Sequence, residues 1–359
     1  MPAERRVGGI AVIILTRQTA ALAVDCLRSL EPEVPTLPHC RVIVAENGSP
    51  DDSVAVISKA IHSHGWGAWA ELMPLDHREG GFARGNNAAL RLILADPNPP
   101  DYVLLLNADT VVRPGALKAL AHFLDQNPEV GIAGSRLEEP DGTPQRSAFR
   151  FPSVLSEWEN GIRFGPVSRL LHRSVVAPPV SDEAHRADWV SGASFMVRRA
   201  VFKQIGLLDD GFFLYFEEVD FCRRAADAGW PSWYVPASRV VHLVSQTTQV
   251  DGKFRGRKPV PQYWFASRRR YLTKHLRRLD VFCADLGWAV GFALWRLRRR
   301  LQRKPDTDPP GMLVDSIRHS VFWARLKVPV VENPAVREAA MHPDPMAEQP
   351  AGELPLQSG

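Results

Sequence analysis

Cysteine is scarce: Cys26, Cys40, Cys222 and Cys283 are the only four in 359 residues. Their spacing fits neither a metal knuckle nor a redox pair, so a disulfide framework is excluded and a reducing compartment is expected. Long apolar runs are also lacking. The longest, Leu286 to Trp295, lies between Asp285 and Arg296 and is about half the ~20 residues that span a bilayer. Met1 to Gly9 is basic but leads into a short apolar stretch without a signal-peptide core or a cleavage site, so neither export nor a membrane crossing is expected. No repeat is visible. Neither charge dominates, with 44 Lys and Arg against 40 Asp and Glu, and 45% of residues are hydrophobic, which excludes a disordered, collagenous or coiled-coil chain.

The charge is nevertheless uneven. Asp251 to Lys304 holds 16 Lys and Arg against three acids, a net +13, and the remaining residues carry −9. Length and charge together predict a large domain over 1–250, a basic, aromatic-rich helical appendage over 251–330, and a proline-rich disordered tail over 331–359.

In the first part, short apolar runs alternate with helical patterns: Ile10 to Leu15 then Ala20 to Leu30, Arg41 to Ala45 then Asp52 to His62, and Tyr102 to Leu106 then Pro114 to Gln126. That alternation predicts an α/β fold with a mostly parallel sheet flanked by helices. Thr16-Arg17, Glu46-Asn47-Gly48-Ser49 and Asn107-Ala108-Asp109 each follow an apolar strand. Ligands of open α/β sheets bind at strand carboxyl ends, so the three clusters are expected to share one crevice, although the same residue types also dominate ordinary turns. The segment after Gly134 loses the alternation and is expected to be less regular as far as Arg186.

Three positions carry candidate chemistry. Asp109 stands at the rim of a buried strand, where a hard divalent cation could take it as a ligand or where it could cap the following helix. Glu217, Glu218 and Asp220 follow the apolar run Phe212 to Phe216. Acids against an apolar wall are candidates for raised pKa and proton transfer, and acids in a first helical turn also favour the helix dipole. Glu217 and Asp220 are assigned the latter role and Glu218 the former. His242 ends another apolar strand and, with an Asp, suits Mn-type metals.

Six ordered segments resemble the family 2 glycosyltransferases of the GT-A fold, in particular the rhamnosyltransferase-like and galactofuranosyltransferase-like branch. They are Val12 to Arg17, Val44 to Ser49, Gly80 to Asn87, Leu104 to Thr110, Trp189 to Ala193 and Phe216 to Arg224. The resemblance spans about residues 8 to 250. It implies an inverting transfer of a sugar from a dTDP-, UDP- or GDP-linked donor to a hydroxyl of a glycan or lipid-linked acceptor in cell-envelope synthesis. Thr16, Arg17, Glu46, Asn47, Arg84, Asn87, Asn107 and Asp109 then contact the nucleotide. Asp109 and His242 hold Mn2+ or Mg2+, Glu218 is the catalytic base, and Trp189, Gly192, Ala193 and Glu217 face the sugars. Two departures stand out: Asn107 replaces the first Asp of the family's metal motif, and Glu46 replaces an Asp.

The basic appendage supports a rival function. Tyr263-Trp264-Phe265 before Arg268-Arg269-Arg270 interleaves aromatics and cations as nucleic-acid binders do, which would make the chain a non-catalytic sugar-nucleotide or nucleic-acid binder. The favoured reading is a peripheral membrane contact at the cytoplasmic face, without nucleic acid as a partner, and the plain alternative is a solvated basic face. Its expected anchors are Trp288, Phe292 and Trp295 beside Arg296, Arg298, Arg299 and Arg300.

Overall fold

The computed structural model describes residues 9–76, 80–243 and 258–323. The expected boundary at 250 and the expected tail over 331–359 lie outside the described residues. Strand and helix alternate first: β1 (Ile10–Thr16), α1 (Ala20–Leu30), β2 (Cys40–Glu46), α2 (Ser53–Ser63), β3 (Ala70–Pro74), α3 (Phe82–Leu94), β4 (Tyr102–Asn107), the short β5 (Thr110–Val112) and α4 (Ala116–Gln126). A less regular stretch follows, with β6 (Ile132–Glu138), β7 (Ala148–Phe149), α5 (Val154–Ile162), α6 (Gly165–Leu170), β8 (His185–Ala187) and β9 (Trp189–Val190). The chain continues through β10 (Ser194–Arg198), α7 (Arg199–Ile205), α8 (Glu217–Asp227), β11 (Ser232–His242), α9 (Gln262–His275), α10 (Arg278–Leu301) and α11 (Met312–Arg318).

Nine strands form the main sheet in the order β3-β2-β1-β4-β10-β6-β11-β5, with β8 also on β11. β1 to β4, β6 and β11 share one direction, and β5, β8 and β10 run against them, so the sheet is mixed and mostly parallel as expected. Side chains alternate between its faces. Val12, Ile14, Val42, Val44 and Leu104 pack towards α1, α2 and α4, while Ile13, Ile43 and Leu105 pack towards α3, α7 and α8. Burial on both faces explains why these strands are continuous apolar runs in the sequence.

The irregular segment contains more order than its sequence suggests. α5 begins with a capping box between Ser153 and Ser156 and ends at Arg163, and α10 lies along it. The two helices touch through small residues: a Cβ on Gly161 would stand 2.6 Å from Trp288 O, and one on Gly291 would stand 2.7 Å from Ile162 N.

The basic segment is largely neutralised from within. Arg268 lies between Glu157 at 2.6 Å and Asp285 at 2.7 Å, all three nearly buried. Arg270 and Lys274 bind Asp209, and Lys274 also reaches Asp220. Most of the residues expected to meet a membrane are corrected accordingly, while Arg300 is exposed. Trp288 and Phe292 are buried and stacked on each other. Arg299 is buried against Asp306 and Asp308, Arg298 donates to the carbonyls of Ile162 and Arg163, and Arg296 pairs with Asp306. Helix packing recruits these side chains inward, onto Asp306 and Asp308 beyond the end of α10 and onto the carbonyls that end α5.

Candidate active site

The carboxyl ends of β1, β2 and β4 converge, as their polar clusters predict. A cavity of about 340 Å³ opens there, lined by Thr16, Arg17, Asn47, Asn107 and Ala108 on the sheet side and by Gly81, Phe82, Phe213, Leu214 and Tyr263 opposite. It sits at the switch point where the strand order reverses beside β1, the position at which open α/β sheets bind ligands. Asn47 donates to Gly81 O at 3.3 Å, while its Oδ1 is buried without a hydrogen-bond partner among the described residues. Thr16 shares a 2.9 Å hydrogen bond with Thr19. Glu46 is buried beneath the rim and accepts from the backbone N–H and the hydroxyl of Ser49, closing the turn after β2.

Four expected nucleotide contacts, Glu46, Arg84, Asn87 and Asp109, are not among the residues that line this cavity. Asn87 is buried and committed to the loop after α7: its amide donates to Leu208 O at 2.9 Å and to Asp210, and its Oδ1 accepts from Leu208 N at 3.1 Å. Arg84 is half-buried on α3, outside the lining of the cavity. The glycines of the same segment serve a close approach. Gly81 adopts φ +100, and a Cβ there would stand 2.5 Å from Phe213 O, so only glycine lets Phe82 N donate to that carbonyl at 2.9 Å.

Asp109 is buried in the turn between β4 and β5, with Oδ1 3.5 Å from His242 Nε2 at the end of β11. The antiparallel pairing of His242 with Thr110 produces this meeting of residues 133 positions apart. Asp109 does not cap α4, because Glu33 accepts from the N–H groups of Gly115 and Leu117. Asn107 N donates to Ala193 O at 2.9 Å, which ties the end of β4 to the segment after β9.

Glu217 and Glu218 open α8 in strained surroundings. Tyr215 and Phe216, just before them, hold φ +70 and +69, a left-handed conformation that costs non-glycine residues ~1–3 kcal/mol each. The four-residue turn is a wall between two cavities. Phe213 and Leu214 line the first, and Tyr215 and Phe216 line a second of about 230 Å³ that also holds Glu218, Trp189, Trp264, Arg268, Trp288 and Glu157. Gly192 packs beside Glu218, at 3.6 Å from Cβ and Cγ for an added Cβ. Trp189 is fixed by a 2.9 Å bond to Arg150 O and by stacking on Phe149.

The three acids in the first turn of α8 separate electrostatically. Burial raises the Glu218 carboxyl to about 7, and burial together with the Glu218 charge raises Glu217 well above the usual carboxylate range. Oε2 of each lacks a hydrogen-bond partner among the described residues. Burial also pushes Asp220 upward, but His275 at 2.7 Å, then Arg224 and Lys274, outweigh it and hold Asp220 at about 2. Asp220 is thus a structural anion, as its assignment to the helix start anticipated in part. Trp264, Arg268 and Trp288, read in the sequence as nucleic-acid or membrane contacts, line the cavity beside Glu218 instead, with α10 packed along α5 and Arg268 of α9 paired with Glu157.

A sheet with this switch point, a cavity at the carboxyl ends of its strands and an acid-led helix beside it define a GT-A glycosyltransferase fold. The chain is similar in fold to GalNAc-T7 solved with UDP, GalNAc and Mn2+ (TM-score 0.57, 14% identity, 95% of this chain and 59% of that one). It is similar also to the mannosyltransferase PcManGT of Pyrobaculum calidifontis, solved with GDP-Man and Mn2+ (TM-score 0.53, 14% identity, 90% of this chain and 83% of that one). Residues 8–270 match the model of the Glycosyltransferase like family 2, and the chain belongs to that family. Among curated proteins it is similar to the N-acetylglucosaminyl-diphospho-decaprenol L-rhamnosyltransferase of Mycobacterium tuberculosis, 28% identical over 81% of this chain and 88% of that one. It is similar to the rhamnosyltransferase WbbL of Escherichia coli as well, 27% identical over 57% of this chain and 73% of that one. The protein is a glycosyltransferase.

Proposed function

We propose that the protein moves an L-rhamnosyl or related sugar from a nucleoside-diphosphate donor to a hydroxyl of an N-acetylglucosaminyl-diphospholipid, with inversion at the anomeric carbon. The observation that carries this reading is the placement of Glu218. Its carboxyl has an elevated pKa and faces the aromatic cavity on one side of the strained turn, while the strand-end cavity lies on the other. The nucleoside diphosphate occupies the strand-end cavity against Thr16, Arg17, Asn47 and Asn107, with the buried Oδ1 of Asn47 available to accept from the base. The acceptor enters the cavity of Trp189, Trp264 and Trp288, whose faces suit a sugar ring. Glu218, as carboxylate, removes the proton of the attacking hydroxyl, and one displacement inverts the configuration.

Asp109 and His242 fit a divalent cation, Mn2+ or Mg2+, as a carboxylate and an imidazole 3.5 Å apart. Among the described residues no group of three or more His, Cys, Asp and Glu could hold a metal ion, so Asp109 and His242 would be the residues to hold it. Such a cation would supply charge neutralisation on the leaving diphosphate. In this reading 1–250 is the catalytic domain, the helices of 251–330 close the acceptor side, and the protein works at the cytoplasmic face of the cell membrane. Donor-hydrolysis and transfer assays with dTDP-, UDP- and GDP-sugars, with and without Mn2+, test it: one donor should be consumed faster when the acceptor is added, and no turnover with any of them would refute it.

A further inference from the structure

Trp288, Phe292 and Arg299 are turned inward, and the opposite face of α10 stands open. Leu279, Phe282, Leu286, Val290, Leu294, Leu297 and Leu301 are all exposed, from 39% at Leu286 and Val290 to 76% at Leu301. Their spacing of three and four residues places them, at 3.6 residues per turn, in one sector of about 120° along a helix about 36 Å long. Between Leu279 and Leu297 no charged side chain enters that sector: Asp280 and Arg296 stand about 100° to either side of its centre, Arg296 paired with Asp306, and Asp285 is buried against Arg268. Phe322 extends the apolar face by an edge-to-face contact with Phe282, and the neighbouring Trp323 is 76% exposed. Among the described residues no helix is long and apolar enough to cross a membrane.

We infer that this face of α10 lies in the interface of an anionic lipid membrane, with its leucines in the acyl boundary. Charge selects that occupant. Arg277 and Arg278 mark one end of the stripe and Arg300, Arg303 and Lys304 the other, all exposed and none in an ion pair among the described residues. An apolar stripe with exposed cations at both ends suits acidic headgroups. A second copy would bring the same cations together when the stripes met, and like charges would oppose the contact. The inference rests on the proposed lipid-linked acceptor only for its purpose: a helix lying in the bilayer surface would hold the acceptor cavity near a lipid-anchored sugar.

Flotation of the full chain with phosphatidylglycerol or phosphatidylcholine vesicles, without donor or acceptor, tests it separately from the transferase reading. Wild type should float with phosphatidylglycerol vesicles, and more weakly as salt is raised. Leu294→Glu with Leu297→Glu should lower the partition coefficient by about tenfold for each leucine, the worth of an aliphatic side chain removed from water. Arg300→Gln, Arg303→Gln and Lys304→Gln together should lower it at low salt and have less effect at high salt. Both variants should retain the wild-type circular dichroism and full transfer to a water-soluble acceptor. Wild type that stays in the aqueous fraction overturns the inference, as does undiminished flotation of the leucine variant. A lipid-free dimer that Leu294→Glu and Leu297→Glu dissociate overturns it too, assigning the stripe to self-association. If the leucine variant fails to fold, the cation variant decides: flotation at low salt equal to wild type overturns the inference.

Discussion

Replacing Glu218 with Gln should slow transfer and stabilise the fold at once. The carboxyl is raised from 4.5 to about 7 by burial, so the folded state binds its proton more tightly than the unfolded chain does. At 1.36 kcal/mol per unit, that difference amounts to roughly 3 kcal/mol of strain carried by the ionised enzyme above neutrality, reduced towards ~1 kcal/mol by the solvent that reaches Glu218 through its cavity. Because the folded value is the higher one, the wild type keeps its full stability below about 4.5 and loses it as the pH rises through about 7. Gln cannot ionise and escapes the loss, and its neutrality also relieves the neighbouring Glu217, which the Glu218 charge raises further. Urea unfolding at pH 8 should therefore show Glu218→Gln more stable than wild type by ~1–3 kcal/mol, and the gap should close at pH 5. Turnover should fall ~10²- to 10⁴-fold, the usual loss when a general base is removed. Equal stability at both pH values would refute the burial argument, and unchanged turnover would refute the role of Glu218.

Asp109→Ala should weaken binding of a nucleoside diphosphate by at least about tenfold in Mn2+ and far less in chelator, whereas the neutral Asn107→Ala should have the smaller effect; calorimetric titration reads both, and equal affinity of Asp109→Ala and wild type in saturating Mn2+ would remove the metal role. Arg268→Met leaves Glu157 and Asp285 buried without their common partner and should cost ~3–5 kcal/mol in denaturant unfolding, with Glu157→Gln and Asp285→Asn restoring part of it. Gly291→Ala places a methyl 2.7 Å from Ile162 N and should cost ~1–3 kcal/mol by forcing α10 from α5; a thermally silent variant would show that the two helices do not pack this closely.

The strands that form the middle of the sheet were legible because they are buried on both faces. Ile10 to Leu15 and Tyr102 to Leu106 are apolar without interruption, and the structure extends each by one residue. β6 was not legible: Gly134, Ser135 and Arg136 interrupt it, and its buried polar group is satisfied only by distant hydroxyls, Ser135 bonding Ser194 and Ser238. For the site, the strand-end clusters converged as their positions implied, since chain direction alone carries them to one edge. The partners of the basic segment could not be inferred in the same way. Composition gives a net +13 for Asp251 to Lys304, but not that Glu157, in a segment without periodicity, takes up Arg268 from 111 residues away. Nor does a run of aromatics announce that Tyr215 and Phe216 will be left-handed, because tertiary packing holds that conformation against their local preference.

The central claim is that this chain transfers a sugar from a nucleoside diphosphate to a lipid-linked N-acetylglucosamine through Glu218. Mass spectrometry of a short-chain polyprenyl-diphospho-N-acetylglucosamine after incubation with the purified protein, Mn2+ and a panel of dTDP-, UDP- and GDP-sugars tests it most directly. The wild type should add one deoxyhexose from a single donor, and Glu218→Gln almost none. An acceptor left unmodified by every donor, or modified equally by the variant, would contradict it.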